Sequence, residues 1–212
     1  MNGKKVVFIA YHDQENLGVG YLSSILLSKG FNVETLDFRL SHEEIYQRVE
    51  MINPFLVGFS LIFQYYTPRL QELAEHLRLK GVNCHFTVGG HYPSLRFEDV
   101  LNSIPALDSV IRFEGEYTIC ELAERLISGG DWTDIKGIAY RKDGQPISNE
   151  LRLLIENLDV LPFPLRNKVN TFKCMKKNCS FIIATRGCVW NCSFCSIRKF
   201  YGTPPGLSLI HI

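Results

Sequence analysis

Apolar residues in the first 130 positions fall into short unbroken runs, separated by segments whose apolar residues recur with helical spacing. Runs of this kind predict strands that are buried on both faces of a parallel sheet. The predicted strands are Lys5–Ala10, Asn32–Asp37, Leu56–Ser60, Asn83–Gly89 and Ser109–Arg112. The predicted helices are Gly18–Lys29, a helix capped by Ser41 and running to Ile52, Pro68–Lys80, Leu95–Ser103 and Glu116–Ser128. Alternating strands and helices predict an α/β fold, a doubly wound, Rossmann-like parallel sheet.

The pattern changes after Gly129-Gly130, and the chain divides into three predicted parts. Residues 1–130 form the Rossmann-like domain. Residues 131–170 hold a small hairpin around Asp143-Gly144 and then a linker that contains proline. Residues 171–212 begin a second domain, in which Phe181–Thr185 is predicted to be a strand.

Composition and charge fit a soluble enzyme, and we expect a cytoplasmic location. The net charge of +1 gives no general attraction to nucleic acid or to a membrane surface. The longest apolar run, Phe55–Phe63, is too short to span a bilayer. The amino terminus lacks the apolar stretch of a signal peptide, and seven cysteines without an export signal indicate a reducing compartment.

Ligands of open parallel sheets bind at the carboxyl ends of the strands, which directs attention to the loops there. Gly89-Gly90 lets backbone approach a ligand closely, although a tight turn would need the same glycines. Gly18-Val-Gly20 is too short for a dinucleotide fingerprint, and no phosphate-binding loop is present. Glu114 and Glu116 bring two carboxylates to the last loop, where we favour interaction with the dipole of the following helix.

Three cysteines near the end of the chain form the pattern C-x3-C-x2-C: Cys188, Cys192 and Cys195. Thiolates so close together select zinc, copper(I) or an iron–sulfur cluster. A zinc site that uses Cys174 or Cys179 as a further ligand is one alternative, and plain structural thiols are another. Cys84 and Cys120 lie in apolar segments and are predicted to be core residues.

The cysteine pattern resembles the cluster loop of the radical S-adenosylmethionine (SAM) enzymes. Phe194 stands where that family places an aromatic residue beside the adenine of SAM, and the predicted strand Phe181–Thr185 leads into the loop. The resemblance implies a 4Fe-4S cluster on the three cysteines that reductively cleaves SAM to a 5′-deoxyadenosyl radical. It also implies a one-electron donor such as flavodoxin or ferredoxin. Arg186 and Arg198 flank the loop and are candidates to reach SAM or tune the cluster, with solvated surface arginines as the alternative.

The Rossmann-like part resembles cobalamin-binding domains, whose pattern is D-x-H-x-x-G, then S-x-L, then G-G. Here the first element is Asp13-Gln-Glu-Asn-Leu-Gly18, and Ser60-Leu-Ile62 follows after 41 residues. Gly89-Gly90 follows after 26 more, with His91 next to it as a further candidate contact. Glu15 occupies the place of the cobalt-ligating histidine, so the resemblance implies cobalamin bound without a histidine ligand from this loop.

Together the two resemblances identify a cobalamin-dependent radical SAM enzyme, for which methyl transfer is the expected reaction. The substrate, a small molecule or a peptide, is not indicated. Only 17 residues follow Cys195, so we expect the first strand and cluster loop of a truncated βα barrel, inactive by itself. The tail 207–212 is unlike the family. The alternatives are a radical SAM enzyme whose Rossmann-like domain has lost cobalamin, and a non-enzymatic module that binds cobalamin or zinc.

Overall fold

Five parallel strands form most of one large sheet. The computed structural model describes residues 4–11, 16–166, 172–174, 177–190, 192–202 and 208–209. The parallel strands are β1 (Lys5–Ala10), β2 (Asn32–Asp37), β3 (Leu56–Ser60), β4 (His85–Gly89) and β5 (Ser109–Ile111). They lie side by side in the order β2-β1-β3-β4-β5, so the direction of winding reverses beside β1. The predicted Rossmann-like parallel sheet is confirmed, and only β4 starts later than predicted.

Helices cover both faces of the sheet. They are α1 (Leu17–Ser28), α2 (His42–Ile52), α3 (Thr67–Leu79), α4 (His91–Leu95), α5 (Phe97–Ser103) and α6 (Glu116–Ser128). Ser41 and Glu44 form a reciprocal capping box that fixes the start of α2. The sequence did not predict α4. The predicted helix Leu95–Ser103 is broken at Arg96, whose φ of −136° is not helical.

Two apolar cores result, one on each face of the sheet. The larger core contains Ile45, Leu73 and Phe86 and lies under α2, α3 and α5. The other contains Phe8, Leu26 and Leu122 and lies under α1 and α6. Strands that are buried on both sides explain why their sequences read as continuous apolar runs.

The hairpin predicted after residue 130 is present and extends the sheet. Its strands are β6 (Ile138–Lys142) and β7 (Gln145–Ser148), and β6 pairs antiparallel with β5. Asp143 and Gly144 both have positive φ, 51° and 78°, as a two-residue type I′ turn requires. Arg141 Nη1 donates to Leu101 O at 2.7 Å, which ties the hairpin to α5. The sheet therefore has seven strands, whereas the three-part division of the chain remains a prediction.

The linker after the hairpin crosses helix α1 at Gly20. Leu165 N donates to Gly20 O at 3.0 Å. A Cβ at Gly20 would lie 2.8 Å from Leu165 O and 3.1 Å from Pro164 Cβ. Glycine at this position therefore allows close contact between helix and linker.

The carboxy-terminal segments are short. They are β8 (Phe172–Cys174), β9 (Lys177–Cys179), β10 (Thr185–Arg186), α7 (Ile197–Tyr201) and β11 (Ser208–Leu209). The strands pair antiparallel as β8 with β9 and β10 with β11. The predicted strand Phe181–Thr185 is wrong over residues 181–184, which the structure shows as irregular chain leading into β10. None of the described helices is both long and apolar enough to cross a membrane.

Candidate functional site

A cavity of about 290 Å³ lies at the carboxyl ends of the parallel strands. Strands β1, β3 and β4 supply Phe8, Gly58, Thr87 and Gly89, and the start of α1 closes one side. The cavity lies at the switch point of the sheet, where open α/β proteins bind their ligands.

Five glycines line this cavity, and their missing side chains help to shape it. A Cβ at Gly58 would lie 2.7 Å from the Phe8 ring, so glycine lets that ring lie across β3. Gly90 has φ +119°, and a Cβ there would meet Leu61 O at 2.4 Å. Gly90 is therefore required by the backbone itself. A Cβ at Gly89 would only make ordinary contact, 3.5 Å from Ile111 O, so packing alone does not require glycine there.

A buried ion triad forms one wall of the cavity. Arg186 Nη1 donates to Glu114 Oε1 at 2.9 Å, and Arg186 Nη2 donates to Glu116 Oε1 at 2.6 Å. The three side chains are only 6–8% exposed. Glu114 uses its second oxygen, Oε2, to accept from Ile155 N at 2.6 Å, so the triad also fixes the linker. The guanidinium lies 5.1 Å from the centre of the Tyr21 ring.

The triad keeps Arg186 charged. Burial by itself lowers the pKa of Arg186, but the charge of Glu116 and the hydrogen bonds to both carboxylates outweigh burial, so the net pKa is raised. The side-chain oxygens of Glu114 and Glu116 accept hydrogen bonds, so this wall offers acceptors to a ligand that carries hydroxyl or amide donors.

Aromatic rings close another side of the cavity. His91, the first residue of α4, stacks on Phe200 of α7 with ring centroids 4.5 Å apart. Phe113 meets the same Phe200 ring edge-on at 5.2 Å. Burial lowers the pKa of His91, which favours its neutral form.

A second cleft of about 510 Å³ adjoins the cavity. The two share lining residues, among them Gly18, Ser60 and Ile62. Tyr11, Phe38 and Tyr66 form an aromatic cluster along the cleft, with the Tyr11 and Tyr66 centroids 4.6 Å apart. Together the cavity and the cleft form a largely apolar surface with a few polar groups, as is usual for small-molecule sites.

A family model described as the B12 binding domain matches residues 3–123, which include the strands and loops around the cavity. The chain belongs to the B12-binding domain family. B12 is cobalamin, so the match agrees with the cavity at the switch point of the sheet.

Relatives of this B12-binding chain include enzymes of known reaction. It is 30% identical over 193 residues to the hopanoid C-3 methylase of Methylococcus capsulatus, covering 89% of this chain and 37% of that protein. It is 31% identical over 192 residues to the anaerobic magnesium-protoporphyrin IX monomethyl ester cyclase of Synechocystis, covering 87% and 38%. The chain thus spans about two fifths of the length of the curated relatives it matches.

A solved structure has the same fold. The cobalamin-dependent S-adenosylmethionine radical enzyme OxsB, determined with aqua-cobalamin and S-adenosylmethionine bound, superposes with a TM-score of 0.72 at 21% identity. The superposition covers 91% of this chain and 28% of OxsB. The predicted resemblance to the cobalamin-dependent radical SAM enzymes, and the predicted fold of the B12-binding domain, are confirmed.

The structure brings most of the predicted cobalamin contacts to one place. The residues that line the cavity are Gly18, Ser60, Ile62, Gly89, Gly90 and His91. Asp13 and Glu15 lie outside the described residues. Their roles, and those of the residues in the cavity, stay predictions, because the shared location does not identify a ligand.

The residues of the cysteine loop lie less close together than those that line the cavity. Gly187 has φ +93°, which opens the loop, and Cys195 N donates to Cys192 O at 3.1 Å across Ser193-Phe194. Cys188, Cys192 and Cys195 are free thiols, and Cys192 is exposed. Phe194 is 91% exposed. Within the described ranges, no three Cys, His, Asp or Glu side chains are grouped closely enough to hold a metal ion.

Two sequence interpretations need correction. Arg186 is neither solvated nor directed to the cysteine loop, because its guanidinium is buried between two carboxylates. Glu116 is the first residue of α6, as the helix-dipole interpretation requires, but it is also buried and paired. The sequence did show Glu114-Gly115-Glu116 and Arg186 as unusual charges. Nothing in it indicated that residues 70 positions apart would meet.

Proposed function

We propose that this chain is the cobalamin-binding part and the start of the radical SAM part of an enzyme that uses both cofactors. The match to the B12-binding domain over residues 3–123, together with the cavity at the switch point, supports cobalamin binding. The relatives include a methylase, which favours methyl transfer as the reaction class. They also include a protein named as a cyclase, so the similarity by itself does not fix the reaction.

The cavity fits the nucleotide tail of cobalamin rather than the whole cofactor. About 290 Å³ is near the lower limit for small-molecule sites. Phe8, Gly58 and Gly89 give the cavity flat, apolar surfaces that suit an aromatic base. Glu114 and Glu116 accept hydrogen bonds, which suits the hydroxyl groups of a sugar. We therefore assign tail binding to these residues and to Ser60, and expect the corrin ring nearer the adjoining cleft.

Cys188, Cys192 and Cys195 would hold a 4Fe-4S cluster, and Phe194 would contact SAM. Three free thiols within eight residues, on a loop opened by a positive φ at Gly187, form a donor set that fits iron–sulfur chemistry. When bound, the cluster supplies an electron for cleavage of SAM, and cobalamin supplies a carrier for the methyl group.

The residues of the chain position these groups and shield them from water. Glu114, Glu116 and Arg186 keep one wall of the cavity polar and rigid, while His91 and Phe200 close another. The free thiols favour a reducing compartment, and we propose a flavodoxin- or ferredoxin-like electron donor. The substrate is expected to be a small molecule or a peptide.

Metal analysis of the full chain tests this proposal. After anaerobic reconstitution with iron, sulfide and hydroxocobalamin, followed by desalting, we expect about four irons and one cobalt per chain. Replacing Cys188, Cys192 and Cys195 with alanine should remove the iron and leave the cobalt. Cys84→Ser is the matched control, because its thiol lies far from the loop in sequence and should not affect iron. Stoichiometric zinc with little iron would contradict the cluster assignment.

A cavity-filling variant tests the cobalamin assignment separately. Gly89 has no positive φ, and a Cβ there finds ordinary space, so Gly89→Leu is expected to fold and to fill the cavity. Cobalt should be lost while iron is retained. Gly130→Ala, at a glycine outside the cavity, should keep both metals. Retention of cobalt by Gly89→Leu would place the cofactor elsewhere.

A further inference from the structure

The segment that opens the cysteine loop is attached to the wall of the cavity. Arg186 lies two residues before Cys188, with only Gly187 between them. Its guanidinium makes hydrogen bonds of 2.9 Å to Glu114, on the loop between β5 and α6, and of 2.6 Å to Glu116, the first residue of α6. The side chain is 8% exposed, so these contacts are shielded from solvent. A buried, doubly paired arginine fixes both the position and the direction of the strand that carries it.

The carboxylates that hold Arg186 are themselves fixed. Glu116 begins helix α6, and the second oxygen of Glu114 accepts from Ile155 N at 2.6 Å. The anchor is therefore a rigid part of the B12-binding domain, and the triad is also one wall of the cavity.

The far end of the cysteine loop contacts the same cavity. Phe200 stacks on His91 at 4.5 Å and meets Phe113 at 5.2 Å. Phe200 and Tyr201 both line the cavity, as Arg186 does. The loop from Gly187 to Ser196 is thus held at both ends by residues that a ligand in the cavity would touch.

We propose that Arg186 is a positioning residue that transmits occupancy of the cavity to the cysteine loop. This inference rests on the proposed function and deepens it, since cobalamin in the cavity would restrict the loop that carries the cluster. Coupling between two sites is reciprocal, so an ordered loop would also strengthen cobalamin binding. The strength of the coupling depends on the ion triad, because Arg186 is the link that reaches the loop from its amino-terminal side.

Hydrogen–deuterium exchange on the full chain, without iron, tests the coupling. Exchange of peptides covering residues 187–199 is measured with and without saturating hydroxocobalamin, and binding is followed by visible absorbance. The test variant combines Arg186→Met, Glu114→Gln and Glu116→Gln, which removes the ion triad without leaving an unpaired buried charge. Arg186→Lys is a second variant that keeps the charge but not the paired geometry. Arg152→Met is the matched control, because Arg152 joins the linker to Glu121 of the same helix outside the cavity.

In the unsubstituted chain and in Arg152→Met, hydroxocobalamin should slow exchange in these peptides roughly fivefold or more, as for a typical coupling between sites. The neutral triad variant keeps an amide oxygen at positions 114 and 116 that can accept from the ligand, so it should bind hydroxocobalamin more weakly. At saturating ligand it should show less than twofold slowing, with Arg186→Lys between the two. Equal slowing in the neutral triad variant would overturn the inference. Complete loss of binding in that variant would also overturn it, because the triad would then have no role beyond contact with the ligand. If the unsubstituted chain fails to bind hydroxocobalamin, the proposed function falls and the inference falls with it.

Discussion

Single residues in this chain show how far a sequence can indicate chemistry. Ser60, Gly89 and Gly90 are predicted from strand ends and from the resemblance to the cobalamin-binding pattern, and all three line the cavity. Arg186 was seen as a charge near the cysteines, but its partners could not be predicted. Ion pairs across 70 residues depend on the tertiary fold and leave no local pattern in one sequence.

His85 is a second residue whose state depends on the fold. It begins β4, and its Nε2 lies 2.8 Å from Ser109 Oγ. Burial is the main reason that its pKa is lowered to about 4; the nearby charges of Asp108 and Arg78 have smaller, opposing effects. The folded protein therefore keeps this histidine neutral at pH values where the unfolded chain binds a proton.

We predict that this difference makes the folded state less stable in mild acid. Because the folded pKa lies below the unfolded value of 6.5, the stabilising contribution is complete above pH 6.5 and is lost as the pH falls toward 4. Between pH 7 and pH 4.5 the loss should be about 2–3 kcal/mol. Urea unfolding at both pH values measures it, with His85→Gln for comparison. An equal acid loss in His85→Gln would contradict the assignment.

At the scale of elements, the strands of the sheet and most of the helices on its faces were predicted well. The spacing of apolar residues and the helix-capping residues indicate the same boundaries. Helix α4 was missed because it is a single short segment beside Gly90 and contains Pro93, and such segments carry little periodicity. The predicted strand at 181–185 failed for a different reason. An apolar run forms a strand only beside a partner, and Ile182 remains 67% exposed.

Helix α1 gives the prediction at this scale. Alanine normally stabilises a helix relative to glycine by about 1 kcal/mol. At Gly20 the added Cβ would overlap Leu165 O, so Gly20→Ala should instead destabilise the protein, by about 1–3 kcal/mol.

Gly18→Ala is the matched control, since a Cβ there lies 3.6 Å from its nearest neighbour, Asn16 Oδ1. Its stability should be unchanged or slightly higher. Urea unfolding of both variants at pH 7 measures the two changes in the free energy of unfolding. Stabilisation by Gly20→Ala would mean that the linker does not hold its place against α1.

For the whole molecule, three of the described cysteines should react with alkylating agents under different conditions: Cys84, Cys120 and Cys192. Burial is the main cause that raises the pKa of Cys84 and of Cys120 to about 11 in each case. Cys192, by contrast, is exposed on its loop. The thiolate is the reactive form, so a pKa raised by about two units slows alkylation roughly a hundredfold near neutral pH.

We therefore predict that iodoacetamide at pH 8 labels Cys192 in the folded chain, while Cys84 and Cys120 react only with global unfolding. Peptide mass spectrometry at increasing urea measures this order. The labelling of Cys84 and Cys120 should follow the loss of secondary structure measured by circular dichroism. Early labelling of Cys120 would show that α6 opens separately from the sheet.

The hairpin of β6 and β7 determines at which end of the sheet the linker begins. Strand β6 runs antiparallel to β5, and β7 runs antiparallel to β6. The last strand of the sheet therefore points the same way as the first five, and the chain leaves on the side where the cavity opens. With an odd number of added strands, the linker would start at the opposite end of the sheet and would have to cross the length of a strand to bring Arg186 to Glu114. An insertion or deletion of one strand at this edge would therefore lengthen the path that the linker must cover by the length of a strand.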